Sequence, residues 1–147
     1  MRKLKFRAWS NEHNRYCDFV TLDENGRWIG WIKSNGVYLT TLDIVLEQDT
    51  GLKDKNGKEI YGGDICRLVY YERGGGRKRW KKVNEDIELV EFEDGYFKFS
   101  NTDQYGIDSE LSFSDYGEWA TADGQYKYEA EVIGSVHENP ELLGGEE

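Results

Sequence analysis

Apolar and polar positions alternate along much of this chain, and glycine beside asparagine or aspartate repeatedly breaks the alternation. Period-two patterning predicts strands with one buried face, and the breaks predict hairpin turns. The clearest case is Ile87-Glu88-Leu89-Val90-Glu91-Phe92-Glu93, then Asp94-Gly95, then Tyr96-Phe97-Lys98-Phe99. A two-residue type I′ turn needs positive φ at both central residues, which Asp-Gly and Asn-Gly tolerate. With Asp94-Gly95 at the turn, Phe92 faces Phe97 and Val90 faces Phe99 on one side. Glu91 then faces Lys98 on the other side, an opposite-charge pair.

Two further turns carry the same signal. Asn25-Gly26 is expected to place Glu24 opposite Arg27, Leu22 opposite Ile29 and Val20 opposite Trp31. Asn35-Gly36 is expected to place Ile32 opposite Leu39. Strands near 16–23, 27–33 and 37–42 then form a meander. An opening strand, Lys5 to Trp9, precedes it across a polar turn at 10–14, and 44–47 continues as strand. Gly51, Asp54, Asn56, Gly57, Gly62 and Gly63 make a turn-rich segment ahead of a strand at 65–71. Gly74-Gly75-Gly76 then marks 73–82 as a flexible basic loop, and 101–125 reads as a long acidic loop. A last strand, Tyr128 to Val136, leads to Asn139 as a cap and Pro140 as the start of a short helical turn. Residues 144–147 read as a frayed tail. The fold class is mostly β, built of meandering hairpins in a single domain over 1–143, with one short C-terminal helical turn.

Composition narrows the picture. The 147 residues fit one domain of ordinary size, and 33% charged residues raise the question of disorder. The 14% aromatic content and single proline answer it, because each ring brings a large apolar area to bury. No apolar run reaches the roughly 18–20 residues of a membrane span, and the basic start lacks the apolar stretch of a signal peptide. Cys17 and Cys66 lie far apart and in no ligand spacing, which suggests reduced thiols in a cytoplasm. Net charge is −10 but polarised. Residues 1–82 hold 17 basic against 11 acidic side chains, and 83–147 hold 2 against 18. Such polarity arises from halves that attract one another or from opposed faces for different partners.

Three blocks point to a family. Lys5-Phe6-Arg7-Ala8-Trp9 opens the chain, Gln48-Asp49-Thr50-Gly51-Leu52-Lys53-Asp54-Lys55-Asn56-Gly57-Lys58-Glu59-Ile60-Tyr61-Gly62-Gly63-Asp64-Ile65 occupies its middle, and Val132-Ile133-Gly134 with Glu138-Asn139-Pro140-Glu141-Leu142-Leu143 closes it. In this order they resemble the YopX family of phage and prophage proteins. The resemblance implies an SH3-like barrel, a phage or prophage origin and a bacterial host cell. It carries over no catalytic residue and does not reach 73–82.

Candidate chemistry is sparse. Placing Gly57 at the invariant glycine of a calcium loop puts Leu52 at its first ligand position and Gly63 at its last, so Asp54-Lys55-Asn56-Gly57 reads as a tight turn. Cys17, Cys66, His13 and His137 are scattered, so no metal or other cofactor is expected. Cys66, within an apolar strand, reads as an inert core thiol rather than a nucleophile.

The most specific feature is Arg73, Arg77, Lys78, Arg79, Trp80, Lys81 and Lys82. Six cations attract phosphates, and an indole can stack on a base, so DNA or RNA is a candidate ligand. The plain alternative is a solvated tip neutralised by Glu85, Asp86 or Glu88. The acidic Asp103, Asp108, Glu110, Asp115, Glu118 and Asp123, interleaved with Tyr105, Phe113, Tyr116 and Trp119, suit a basic protein or an imitation of nucleic acid. They equally serve solubility. The expectation is a non-catalytic binding module for a host or phage protein, with nucleic acid as the alternative and a homo-oligomer open.

Overall fold

The computed structural model describes residues 5–73, 80–93, 96–99, 111–113, 118–121 and 126–144. The chain divides into two compact units, Met1–Asp49 and Thr50–Glu147. Strands dominate both, as the patterning predicts.

The first unit holds β1 (Phe6–Ser10), β2 (Arg15–Tyr16), β3 (Phe19–Leu22), β4 (Trp28–Ser34) and β5 (Val37–Thr41). The strand β6 (Ile44–Lys53) contributes residues to both units. β1 pairs antiparallel with β2 and with β6, so Trp9 lies opposite both Tyr16 and Val45. The Arg7 side chain of the opening motif is used inside this pairing. Arg7 Nε donates to Glu47 Oε1 at 2.8 Å, and Tyr16 Oη donates to the same oxygen at 3.0 Å. Glu47 is buried, so these partners offset its desolvation.

β3, β4 and β5 form the expected meander. Asn35 and Gly36 both have positive φ, 52° and 81°, and the turn sets Ile32 opposite Leu39 as predicted. The Asn25-Gly26 expectation is corrected by one residue. Leu22 lies opposite Trp28, Thr21 opposite Ile29, and Val20 opposite Gly30. The cause is Asp23. Its Oδ1 accepts from the Asn25 and Arg27 amides, and its Oδ2 accepts from Arg27 Nε. These bonds widen the loop to three residues, with only Gly26 at positive φ, and a one-residue slip reverses every facing side chain. The Arg27 amide, above all, holds the Asp23 carboxyl below the usual aspartate range.

The second unit holds β7 (Glu59–Tyr61), β8 (Asp64–Arg73), β9 (Trp80–Glu93), β10 (Tyr96–Phe99), β11 (Leu111–Phe113), β12 (Glu118–Thr121) and β13 (Tyr126–Ser135). Six of these form an antiparallel sheet in the order β10-β9-β8-β13-β12-β11, curled into a half-barrel. Ile60, Cys66, Leu68, Val90, Phe99, Tyr128 and Ala130 make its core. The β9–β10 register sets Phe97 opposite Phe92, Lys98 opposite Glu91, and Phe99 opposite Val90, as the patterning predicts. The turn at 94–95 lies outside the described residues.

Parts of two expected loops are strand, and the rest of each lies outside the described residues. β11 and β12 fall within 101–125, pairing Phe113 with Trp119 across their backbones, and at three and four residues they are too short to show a clear period in the sequence. β8 extends to Arg73 and β9 begins at Trp80, so residues 73 and 80–82 of the expected basic loop are strand. At the C-terminus a single 3₁₀ turn spans Pro140–Leu143. Asn139 does not cap it. Its side-chain oxygen instead accepts from the Ser135 amide at 3.3 Å. A Cβ at Gly134 would lie 2.5 Å from that oxygen, so only glycine admits the approach. Gly144, read as part of the frayed tail, closes the turn in the left-handed region, its amide bonded to Glu141.

Asp54 is almost fully buried, and its carboxylate accepts from three backbone amides. Oδ1 accepts from Asn56 and Lys58 at 2.9 Å each, and Oδ2 accepts from Val132 of β13 at 2.8 Å. Asp54→Ala should therefore cost about 3–5 kcal/mol, since three donors lose a charged acceptor in the interior. Asp23→Ala removes an exposed turn and should cost visibly less. Urea melts of both variants check the order. Melts below the ordinary aspartate pKa add a sign test. The lowered Asp23 value makes its contribution full above the unfolded pKa and lost as pH falls through the folded one. The stability gap between wild type and Asp23→Ala should close on acidification.

Candidate functional site

The β8–β9 hairpin and the neighbouring β13 assemble one cationic and aromatic cluster. Antiparallel register sets Arg73 opposite Trp80, Glu72 opposite Lys81, and Tyr71 opposite Lys82, while Lys127 of β13 also lies opposite Tyr71. Facing residues share a side of the sheet, and side chains two apart share it too. Arg73, Trp80, Tyr71, Lys82 and Lys127 thus occupy one face, and Lys81 with Glu72 the other.

The rings on that face carry cations. The Arg73 guanidinium sits 4.9 Å from the Trp80 ring centre, and Lys127 Nζ lies 5.0 Å from the same centre. Lys127 Nζ is also 5.3 Å from the Tyr71 ring. The ring quadrupole attracts such charges and fixes long side chains that would otherwise range through solvent. Carboxylates border the cluster. Lys82 Nζ bonds Glu85 at 2.6 Å, Arg67 bridges Glu85 at 3.2 Å and Glu131 at 3.0 Å, and Tyr71 Oη donates to Glu129 at 3.2 Å. The Lys82 hydrogen bond and its charge, with help from Arg67, hold the Glu85 carboxyl below its ordinary range. Exposed ion pairs of this kind add little to stability, but they decide which charges a ligand meets.

Of the seven sequence-predicted residues, the structure brings Arg73, Trp80 and Lys82 to one face and sends Lys81 to the other. Arg77, Lys78 and Arg79 lie outside the described residues. Lys127 and Tyr71 were missed by sequence reasoning. Lys127 enters from β13, whose pairing with β8 joins residues more than fifty positions apart and leaves no local signal. Among the acidic candidates, Phe113 belongs to β11 and Glu118 and Trp119 to β12, while Tyr105 and Tyr116 lie outside the described residues with Asp103, Asp108, Glu110, Asp115 and Asp123.

The remaining chemical candidates are engaged elsewhere. Asp54 gives its oxygens to three amides, and Gly57 turns the chain at φ 83°. Burial above all, with Asp64 and Asp54 nearby, pushes the Cys66 thiol up, so it stays protonated at neutral pH. Burial also raises Cys17, against the pull of Arg15. His13 and His137 sit in turns. Among the described residues no group of three or more His, Cys, Asp or Glu side chains is arranged to hold a metal. No helix among them is long and apolar enough to cross a membrane.

Residues 5–144 match the family model described as YopX protein. The chain belongs to the YopX family. It is 30% identical to the SPbeta prophage-derived uncharacterized protein YopX of Bacillus subtilis strain 168, over 95% of this chain and 96% of that one. The crystal structure of the Bacillus subtilis YopX protein has a similar fold, with a TM-score of 0.58 at 22% identity over 97% and 99% of the two chains. Protein EF1440 from Enterococcus faecalis, also a crystal structure, gives a TM-score of 0.55 at 27% identity with the same coverage. The three blocks that resemble YopX are explained here by folding. Arg7 meets Glu47, Asp54 ties a turn to β13, and Gly134 admits Asn139. None of them contributes a side chain to the cluster around Trp80.

Thiol chemistry gives a direct check on the cysteines. Native protein treated with iodoacetamide at mildly alkaline pH should leave Cys66 unmodified while Cys17 reacts slowly, and both should react fully in denaturant. Peptide mass spectrometry reads each site.

Proposed function

We propose that this YopX-family protein is a non-catalytic binding module that contacts a protein partner through the face around Trp80. One observation carries the reading: Trp80 and Tyr71 are held among Arg73, Lys127 and Lys82, with Glu85, Glu129 and Glu131 at the border. Trp, Tyr and Arg are the side chains that anchor protein interfaces, and a mixed-charge border selects a partner by complementarity. A base would have to displace cations already resting on the indole, which favours a protein surface offering carboxylates to those cations. The non-catalytic part draws support from the buried, protonated Cys66 and the amide-bonded Asp54. The partner is a host or phage protein, and the setting is the host cytoplasm, in keeping with two free cysteines. The curled six-stranded sheet is read as the SH3-like barrel that the family resemblance implies.

A second reading, nucleic-acid binding, draws on Arg73, Lys81, Lys82 and Lys127 standing near the residues between β8 and β9. Capture from infected cells, with and without nuclease, separates the two. A protein partner should persist after nuclease, and Trp80→Ala should weaken its binding by about 2 kcal/mol or more. With Arg77, Lys78, Arg79, Lys81 and Lys82 on phosphates, the slope of log K against log salt should be about −3.5 to −4.5. Binding to purified DNA or RNA with that slope would replace the protein reading. Capture that Trp80→Ala leaves unchanged would remove this face from it.

A further inference from the structure

A second surface lies in the first unit, at the free edge of its three-stranded sheet. β5 ends the order β3-β4-β5, and no strand among the described residues pairs with its outer side. Val37-Tyr38-Leu39-Thr40-Thr41 carries no charge, proline or bulge, the devices that usually keep an edge from pairing. Apolar side chains stand exposed on both faces here. Val37 and Leu39 are 60% and 42% exposed on one face, and Tyr38 and Phe19 are 48% and 45% exposed on the other. Phe19 is stacked on Trp31, ring centres 5.7 Å apart, and Tyr38 packs edge-on against Phe19. Single exposed apolar residues are ordinary, but their concentration on both sides of one unprotected edge marks a contact surface.

The backbone shows what the edge offers a partner. The two-residue Asn35-Gly36 turn closes on a hydrogen-bonded Ser34–Val37 pair, so Leu39 and Thr41 also bond to β4. The N–H and C=O groups of Tyr38 and Thr40 therefore point away from β4. We propose that β5 is the seam of a homodimer in which two copies pair β5 antiparallel about Leu39. Tyr38 of each copy then exchanges two hydrogen bonds with Thr40 of the other, giving four in all, and the two Leu39 residues meet at the twofold axis. The strand's own sequence satisfies this symmetry without placing any charge opposite its like. The −10 charge of the whole chain opposes self-association, but residues 1–49 hold seven basic and seven acidic side chains, so the unit that bears β5 is neutral. Pairing would join two three-stranded sheets into one of six strands and cover apolar surface on both faces at once.

Sedimentation of the full chain from about 1 to about 200 μM should show a monomer–dimer equilibrium, since so small an interface is expected to be weak. Thr40→Pro removes an outward N–H at an edge position where proline is tolerated, and should raise the dissociation constant at least about tenfold. Thr40→Lys, which puts charge at the seam without backbone change, should do the same if the proline variant fails to fold. Facing residues of a non-hydrogen-bonded pair have Cα atoms about 4.5 Å apart, within disulfide reach. Leu39→Cys should then crosslink under mild oxidation through the introduced thiol, as peptide mapping reads. A chain that stays monomeric throughout, a dimer untouched by Thr40→Lys, or a dimer in which Leu39→Cys fails to crosslink would each overturn the proposal.

Discussion

The buried carboxylate of Asp54 is the interaction on which the second unit most depends. A charge in the interior is strongly unfavourable unless hydrogen bonds replace its water. Here three amides replace it, and they come from two places: Asn56 and Lys58 in the adjoining turn, and Val132 on β13. The Lys55 amide, bonded to the Ala130 carbonyl at 3.0 Å, adds a second tie. Together they fix where β13 lies along its length. That position sets the register of β13 against β8, which in turn puts Lys127 opposite Tyr71 and within reach of the Trp80 ring. The candidate binding face is thus positioned by a turn that reaches its border through Lys55, whose Nζ lies 4.0 Å from Glu131 Oε1.

How much of this was legible in the sequence depended on how local the cause was. The Asn35-Gly36 hairpin and the Phe92/Phe97 register follow from two-residue turns whose φ requirement and flanking pattern agree. Asn25-Gly26 offers the same dipeptide but not the same turn, because Asp23 reaches its own following amides first. The dipeptide rule assumes that no side chain competes, and there one does. β11 and β12 were hidden because strands of three and four residues are too short for an alternating pattern to stand out. At the site, Arg73, Trp80 and Lys82 were visible as a run of residue types, whereas Lys127 was not. Its place follows from pairing between strands far apart in the chain, and from a carboxylate at Asp54 that no composition rule connects to it.

The same contrast explains why family membership says more about folding than about contacts. The blocks shared with YopX proteins contain charged and polar residues that look chemical in isolation: Arg7, Asp54, Asp64 and Asn139. In the structure each of their known partners is internal. Arg7 meets Glu47, Asp64 accepts from the Tyr61 amide at 2.8 Å, and Asn139 accepts from Ser135. These residues hold strand ends and turns in place. The residues proposed to meet a ligand, around Trp80, lie outside those blocks.

Charge then separates what steers a partner from what holds it. Residues 50–147 carry 12 basic and 22 acidic side chains, so the unit that bears the cationic cluster is itself strongly acidic. At physiological ionic strength screening acts over roughly 8 Å, which is wider than the cluster's own contacts. Beyond that distance the unit's net charge is largely screened, and what field remains slows rather than speeds a polyanion's encounter. Once surfaces touch, the order reverses. Cations held on aromatic rings are pre-oriented, and the adjoining carboxylates disfavour a partner that brings further negative charge outside the cluster. That combination suits a ligand with a few placed carboxylates on an otherwise mixed surface better than a continuous phosphate backbone. The proposed protein reading thus rests on the geometry of the face rather than on total charge.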